Sequence, residues 1–269
     1  LLGRILFVID NKHRQIAIEN LSQSFANEKQ PNEIASLARA VFENLGQILF
    51  EVGWALRMPE HDFTRHFKVR GLANLKGAYE KNQGILILTA HMGNWELLTN
   101  VAAMTGYPLG IVVRPLDFSP LESFFRCFRT RFGATLIPTK NSMRMVLEGL
   151  KERSMVALLM DQNVDWYDGV FVSFFGRPAC TNRGLALLAL KTGAPVVPVF
   201  LVRDGDGFAA EFGSEVPLIR TGDKTADVEA NTQRYNDIIE SFVRRHPDQW
   251  FWVHQRWKTK NRHEWPTRE

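Results

Sequence analysis

Ile85-Leu86-Ile87-Leu88-Thr89-Ala90 runs directly into His91-Met92-Gly93-Asn94-Trp95-Glu96. The first stretch is apolar and β-branched at several positions, which fits a strand buried on both faces of a mainly parallel sheet. His91 then stands at the carboxyl end of that strand. Gly93 permits a tight turn, Asn94 is a good N-cap, and Trp95-Glu96-Leu97-Leu98, continued through Val101 and Ala102, starts an amphipathic helix. Glu96 falls in the first turn, where the helix dipole favours a carboxylate. A histidine in the preceding loop can fold back to meet it, although His91 and Glu96 would not share a face of one continuous helix. Such a pair fixes the imidazole tautomer and stabilises the imidazolium that forms when His91 takes a proton. Two readings fit: a catalytic dyad, or a capping histidine beside an ordinary first-turn acid, because an isolated H-x4-E string is common by chance.

Working outward, the chain alternates strands and helices. Helical spacing covers 12–25 and, with Pro31 at N1, 32–56, where Ile34, Leu37, Ala38, Val41, Leu45, Ile48, Leu49 and Val52 share a face. A helix over 71–82 leads into the strand before His91, and a strand over 109–114 follows the next helix. Ser119-Pro120-Leu121-Glu122 has capping-box residues, so a helix runs from there to about Phe132. A strand at 134–137, a helix at 141–151 and the strand Met155–Met160 come next. After Asp161, the segment 170–176 is a strand-rich aromatic excursion. Thr181-Asn182 caps a helix closing at Gly193, Pro195–Val202 is a buried strand, a hairpin sits at 204–207, and a helix covers 225–245. The predicted class is α/β: a mostly parallel central sheet flanked by helices, with an amino-terminal helical layer. One domain is expected over 1–269, with the helical layer at 1–66 and the α/β core at 67–269.

The chain has 269 residues, 45% of them hydrophobic, enough for a sizeable core. Cys127 and Cys180 lack metal or disulfide spacing, so a zinc ribbon or a disulfide scaffold is not expected and a reducing compartment is the natural setting. The apolar start Leu1–Ile9 is far shorter than the roughly 20 residues that span a bilayer. No signal-peptide cleavage pattern is present, and the expected chain is soluble or peripheral to a membrane. The net charge of +4 is concentrated at the end, where Arg256, Lys258, Lys260, Arg262 and Arg268 outnumber Glu264 and Glu269. Trp250, Trp252, Trp257 and Trp265 lie in the same region. Trp with Arg suits a bilayer interface bearing anionic headgroups; the alternative is that the tryptophans complete the core. No nucleic-acid motif accompanies them, so nucleic acid is not an expected partner.

In a mostly parallel sheet ligands gather beyond the carboxyl ends of the strands, and His91, Arg114 and Asp161 each fall at such an end. Arg114 could bind a phosphate or stabilise an oxyanion; Asp161 could orient His91 or Arg114, with Gln162 in support. The alternative for each is a structural ion pair at the rim of the sheet.

At these residues the sequence resembles the lipid A biosynthesis acyltransferases of the lauroyl and myristoyl type and their relatives that acylate phosphatidylinositol mannosides. The resemblance runs through Ala17–Phe25, His91-Met92-Gly93-Asn94-Trp95-Glu96, Arg114-Pro115, Arg131-Phe132-Gly133, Asp161-Gln162, Phe174-Phe175-Gly176 with Thr181, and Gln249–Trp257. It implies acyl transfer from acyl carrier protein or coenzyme A to a hydroxyl of an anionic membrane glycolipid, most simply a lipid A precursor, at the cytoplasmic face of a bacterial inner membrane. The family's amino-terminal transmembrane helix is not in this sequence, so the resemblance implies a peripheral chain without that anchor. It places His91, Glu96, Arg114 and Asp161 in catalysis, and Gly93, Asn94, Arg131, Gln162 and Thr181 around the oxyanion and substrate. Trp250, Trp252, Arg256 and Trp257 are the expected lipid contacts.

Direct attack of a hydroxyl on a thioester needs a base and oxyanion donors, but no covalent nucleophile. The sequence accordingly lacks G-x-S-x-G. It also lacks H-E-x-x-H, since Thr267 stands where His263-Glu264 would need a second histidine. G-x-G-x-x-G and Walker A patterns are missing too, so neither a cofactor nor a metal is expected. The roles proposed from these residues are His91 as base, Glu96 as its brace, the Gly93 and Asn94 amides toward the oxyanion, and Arg114 toward that charge or a phosphate. Arg126, Arg129 and Arg131, on one predicted helix, could face anionic headgroups or an acidic carrier protein; the alternative is a solvated face. A non-catalytic lipid-binding module and a hydrolase using His91 to activate water are the competing functions.

Overall fold

The structure, a computed structural model, describes residues 1–140 and 142–260. It divides into two compact units, one built from 48–159 and 188–218, the other from 1–47, 160–187 and the described residues from 219 onward.

The first unit holds the sheet. Its strands are β1 (Phe67–Arg70), β2 (Ile85–Thr89), β3 (Leu109–Val113), β4 (Thr135–Pro138) and β5 (Met155–Leu159), joined by the two long strands near 196–212. Those two, Val196–Asp204 and Gly207–Phe212, are numbered β8 and β9 because the hairpin β6 (Gly169–Phe174) and β7 (Arg177–Asn182) precedes them in the other unit. The sheet order is β1-β9-β8-β2-β5-β3-β4. β4, β3, β5, β2 and β8 run parallel, β9 returns antiparallel to β8, and β1 pairs parallel with β9. The α/β class and mostly parallel sheet read from the sequence are thus what the chain forms.

β2 is central and all five of its residues are buried, as its unbroken apolar run requires. From β2 the chain moves one way to β3 and β4 and returns to β5, before β8 adds on the opposite side of β2. Ligands of such sheets gather at the carboxyl ends of the strands where the direction reverses, and His91 leaves β2 at that end. The helices of this unit include α5 (Leu72–Tyr79), α6 (Val101–Thr105), α7 (Ser119–Thr130) and α8 (Ser142–Lys151). β1 was not anticipated: Phe67-Lys68-Val69-Arg70 is short and its last three residues are exposed at the sheet edge.

In the other unit, α1 (Leu2–Ile9) and α2 (Asn11–Ser24) precede the long helix α3 (Pro31–Ala55), whose final turns belong to the sheet unit. The apolar start of the chain is therefore helical. Gly3 is buried here, and a Cβ would lie 2.2 Å from the Phe42 carbonyl oxygen, so the close approach to α3 needs glycine. Among the described residues no helix is long and apolar enough to cross a membrane. The aromatic segment after Asp161 is a hairpin turning at Phe175-Gly176, both with positive φ. Its β7 strand was missed because Pro178 reads as a breaker, and it contains Thr181, expected to be part of a helix cap. Asn182 alone makes that contact, its side-chain oxygen accepting from the Gly184 amide at 2.6 Å. α10 (Lys224–Arg245) packs on the hairpin.

Candidate active site

The residues after β2 form a compressed turn. The Met92 amide donates to the Ala90 carbonyl at 2.8 Å, which folds the backbone tightly around His91. Gly93 has φ +56, and a Cβ there would stand 2.4 Å from the Leu201 carbonyl oxygen on β8. Only glycine fits, for both conformation and space. Gly93→Ala is expected to cost roughly 1–3 kcal/mol through overpacking and to lower any activity of this turn at least about tenfold through its misplacement. An unchanged denaturation midpoint would refute this close approach.

The predicted amphipathic helix begins instead as a 3-10 segment, Trp95–Asn100, before α6 takes over. Asn94 does not cap it with its side chain. Its Nδ2 donates to the Glu51 carboxylate at 2.8 Å and to the Ile48 carbonyl at 3.3 Å. Glu51 in turn receives two hydrogen bonds of 2.6 Å from Arg203 on β8. The turn is therefore tied to the end of α3 and to the neighbouring strand.

His91 is half-buried, its ring meeting the Trp95 indole nearly edge-on with centroids 5.1 Å apart. Glu96 is buried and gripped by Arg129 of α7: Nε and Nη2 each donate to a separate carboxylate oxygen at 2.7 Å. This fork geometry is the strongest form of the pair. Burial disfavours the charge on Arg129, but the hydrogen bonds and charge of Glu96 outweigh it and hold its pKa above the ordinary value. Arg129 Nη1 remains buried with no partner among the described residues.

This corrects the idea of a basic α7 face turned to headgroups or to a carrier protein. Arg129 is inward, four residues from buried Phe125 and next to buried Phe128; that position on the apolar stripe was the available signal. Arg126 is outward, beside Glu122 at 3.3 Å. Arg131, expected around the substrate, donates to the Ala55, Leu56 and Met58 carbonyls. It closes the carboxyl end of α3, whose last carbonyls have no helical partner, so its donors are spent on structure. Glu51 and Arg203 were not anticipated at all.

Arg114 follows β3 with its side chain 76% exposed, in a loose 3.4 Å contact with Asp117. Asp161, in the other unit, is buried and accepts from the Trp250 indole at 2.8 Å. Gln162 offers its backbone carbonyl to Arg256 at 3.5 Å. Thr181 is buried, its hydroxyl accepting from Arg256 and, at 3.2 Å, from Asn236. It is a structural node rather than a substrate contact.

The expected lipid contacts need the same correction. Trp250, Trp252 and Arg256 are fully buried, Trp250 and Trp252 edge-on at 4.6 Å and Trp250 against Phe174 at 5.4 Å. Arg256 donates to the Cys180 carbonyl at 2.9 Å. Burial pulls its pKa down to about 10, against the opposing attraction of Asp161. Trp257 is half-buried beneath the Arg177 guanidinium, 4.1 Å from its ring centre. The tryptophans complete a core, as the alternative reading had it. Trp265, Arg262 and Arg268 lie outside the described residues.

Comparison with known proteins identifies the family. The family model described as bacterial lipid A biosynthesis acyltransferase matches residues 1–259. The chain is 28% identical over 252 residues to the lipid A biosynthesis palmitoleoyltransferase of Escherichia coli K12, covering 93% of this chain and 80% of that protein. It is 26% identical over 261 residues to the lipid A biosynthesis lauroyltransferase of the same organism, covering 96% and 83%. A phosphatidylinositol mannoside acyltransferase of Mycolicibacterium smegmatis is 26% identical over 210 residues, covering 76% and 67%. With nearly its whole length matched and a histidine–glutamate turn at the end of its central strand, the chain belongs to the bacterial lipid A biosynthesis acyltransferase family.

Proposed function

We propose that this acyltransferase moves a fatty acyl group from a thioester, carried on acyl carrier protein or coenzyme A, to a hydroxyl of a membrane glycolipid, foremost a lipid A precursor. The observation that carries the proposal is the turn after β2. A half-buried histidine leaves the central strand, and the carboxylate that follows it is gripped by a two-pronged arginine.

His91 accepts the proton of the acceptor hydroxyl as its oxygen attacks the thioester carbonyl. The tetrahedral intermediate collapses, the carbon–sulfur bond breaks, and the imidazolium returns its proton to the departing thiolate. Glu96 braces the ring and offsets its transient positive charge. The Gly93 and Asn94 backbone amides serve the oxyanion, and Arg114 meets a phosphate of the acceptor. The natural setting is the cytoplasmic face of an inner membrane.

Incubation with acyl carrier protein and coenzyme A thioesters, each with lipid A precursors or phosphatidylinositol mannosides, tests this by mass spectrometry of the lipids. An acylated glycolipid is the expected product. Free fatty acid alone would indicate a hydrolase, and glycolipid binding without turnover a lipid-binding module.

A further inference from the structure

We propose that the rim formed by the loop after β3 and the start of α8 rests on an anionic lipid bilayer, an inference that builds on the glycolipid reading above. β3 and β4 are parallel neighbours at one edge of the sheet, with Val113 opposite Pro138 and the Thr139 amide donating to the Val113 carbonyl at 3.1 Å. Their following segments therefore emerge together, at the same sheet end from which His91 leaves β2.

These segments carry large apolar side chains in the open. Phe118 is 66% exposed, with Leu116 on the same loop, and Met143 and Met145 are exposed on the first turn of α8. Cations stand among them. Lys140 has no ion pair among the described residues, and Arg144 has only the exposed Glu148 at 2.8 Å, a pair of little strength in water. Between Pro138 and α8 lies an open groove of about 1040 Å³ lined by Lys140, Met143 and Met145.

A folded chain has no reason to present this combination to water alone. Apolar tips interleaved with cations match the boundary between acyl chains and lipid phosphates. An acidic protein partner would use the cations but leave projecting phenylalanine and methionine side chains without purpose. The placement also fits the chemistry: a glycolipid can keep its acyl chains in the bilayer while its headgroup reaches toward the sheet end that carries His91.

Flotation of the whole chain with vesicles tests the rim. Vesicles of equimolar phosphatidylcholine and phosphatidylglycerol should bind the protein, and pure phosphatidylcholine should bind it less. Phe118→Ser with Met143→Ser should lower binding to the mixed vesicles at least about tenfold. Lys140→Glu with Arg144→Glu should lower it similarly and abolish the preference for phosphatidylglycerol. These residues are exposed, so circular dichroism and acyl transfer to a detergent-dispersed acceptor should be unchanged. Ile5→Ser with Val8→Ser, on the exposed apolar stripe of α1, serves as a comparison. The proposal is overturned if the unaltered chain ignores vesicles, if the rim variants bind as well as it does, or if only the α1 change abolishes binding. It is equally overturned if the rim variants lose acidic carrier protein but keep their vesicle affinity. Vesicle binding is read without turnover, so failure of the acyltransferase reading would show separately in the product assay.

Discussion

His91→Ala is expected to lower acyl transfer by roughly 10²- to 10⁴-fold, the range over which a positioned general base accelerates proton transfer, while the chain remains folded. The fold should survive because the half-buried ring makes an edge contact with Trp95 and is not part of the packed interior of β2. The loss belongs in the chemical step, so single-turnover transfer from a labelled thioester should slow while donor binding changes little. Partial recovery on adding imidazole would identify the missing group as a proton acceptor. Near-normal transfer by the purified variant would eliminate His91 as the base.

The second large effect concerns Arg129, where stability and activity should separate. Arg129→Ala leaves the Glu96 carboxylate buried without its guanidinium, and breaking such a pair from one side costs about 3–5 kcal/mol. Acyl transfer should fall as well, because the carboxylate would lose the two hydrogen bonds that fix its orientation. Replacing both partners with apolar residues of similar size, Arg129→Met with Glu96→Leu, removes the stranded charge and should recover much of the stability, but not the activity. Denaturant midpoints and transfer rates on the two variants decide this. If the double variant regained transfer, the carboxylate would have no part in the reaction; if Arg129→Ala were fully stable, the pair would not be the brace described here.

Much of the fold was legible because it is written in local patterns. The run 85–90 fits an interior strand, and the alternation that follows argues for a mostly parallel sheet. His91 and Glu96 were visible because Gly93 between them marks a turn. The partners were not visible. Arg129 stands 33 positions from Glu96, and Arg203 stands 152 from Glu51, and no periodicity reports which distant charges meet. Asn94 has the chemistry of a cap, but the half-buried Glu51 carboxylate was a better partner for its amide than the helix end. Composition misled at Trp250, Trp252 and Arg256, since the same residues suit a bilayer surface and a core in which each indole N–H or guanidinium finds an acceptor. β1 was too short and polar to register before β9 was known to lie beside it.

The braces of the catalytic turn carry a temporal consequence. Because they join segments so far apart along the chain, each can form only after a large loop has closed, whose entropic penalty precedes any reward from the contact. Helices will have wound while Glu96 still lacks its arginine, and β2 will have met β5 while Glu51 still lacks its own. Enzymatic competence is therefore one of the last properties this chain acquires as it matures, and regained helicity would be a poor proxy for a finished enzyme.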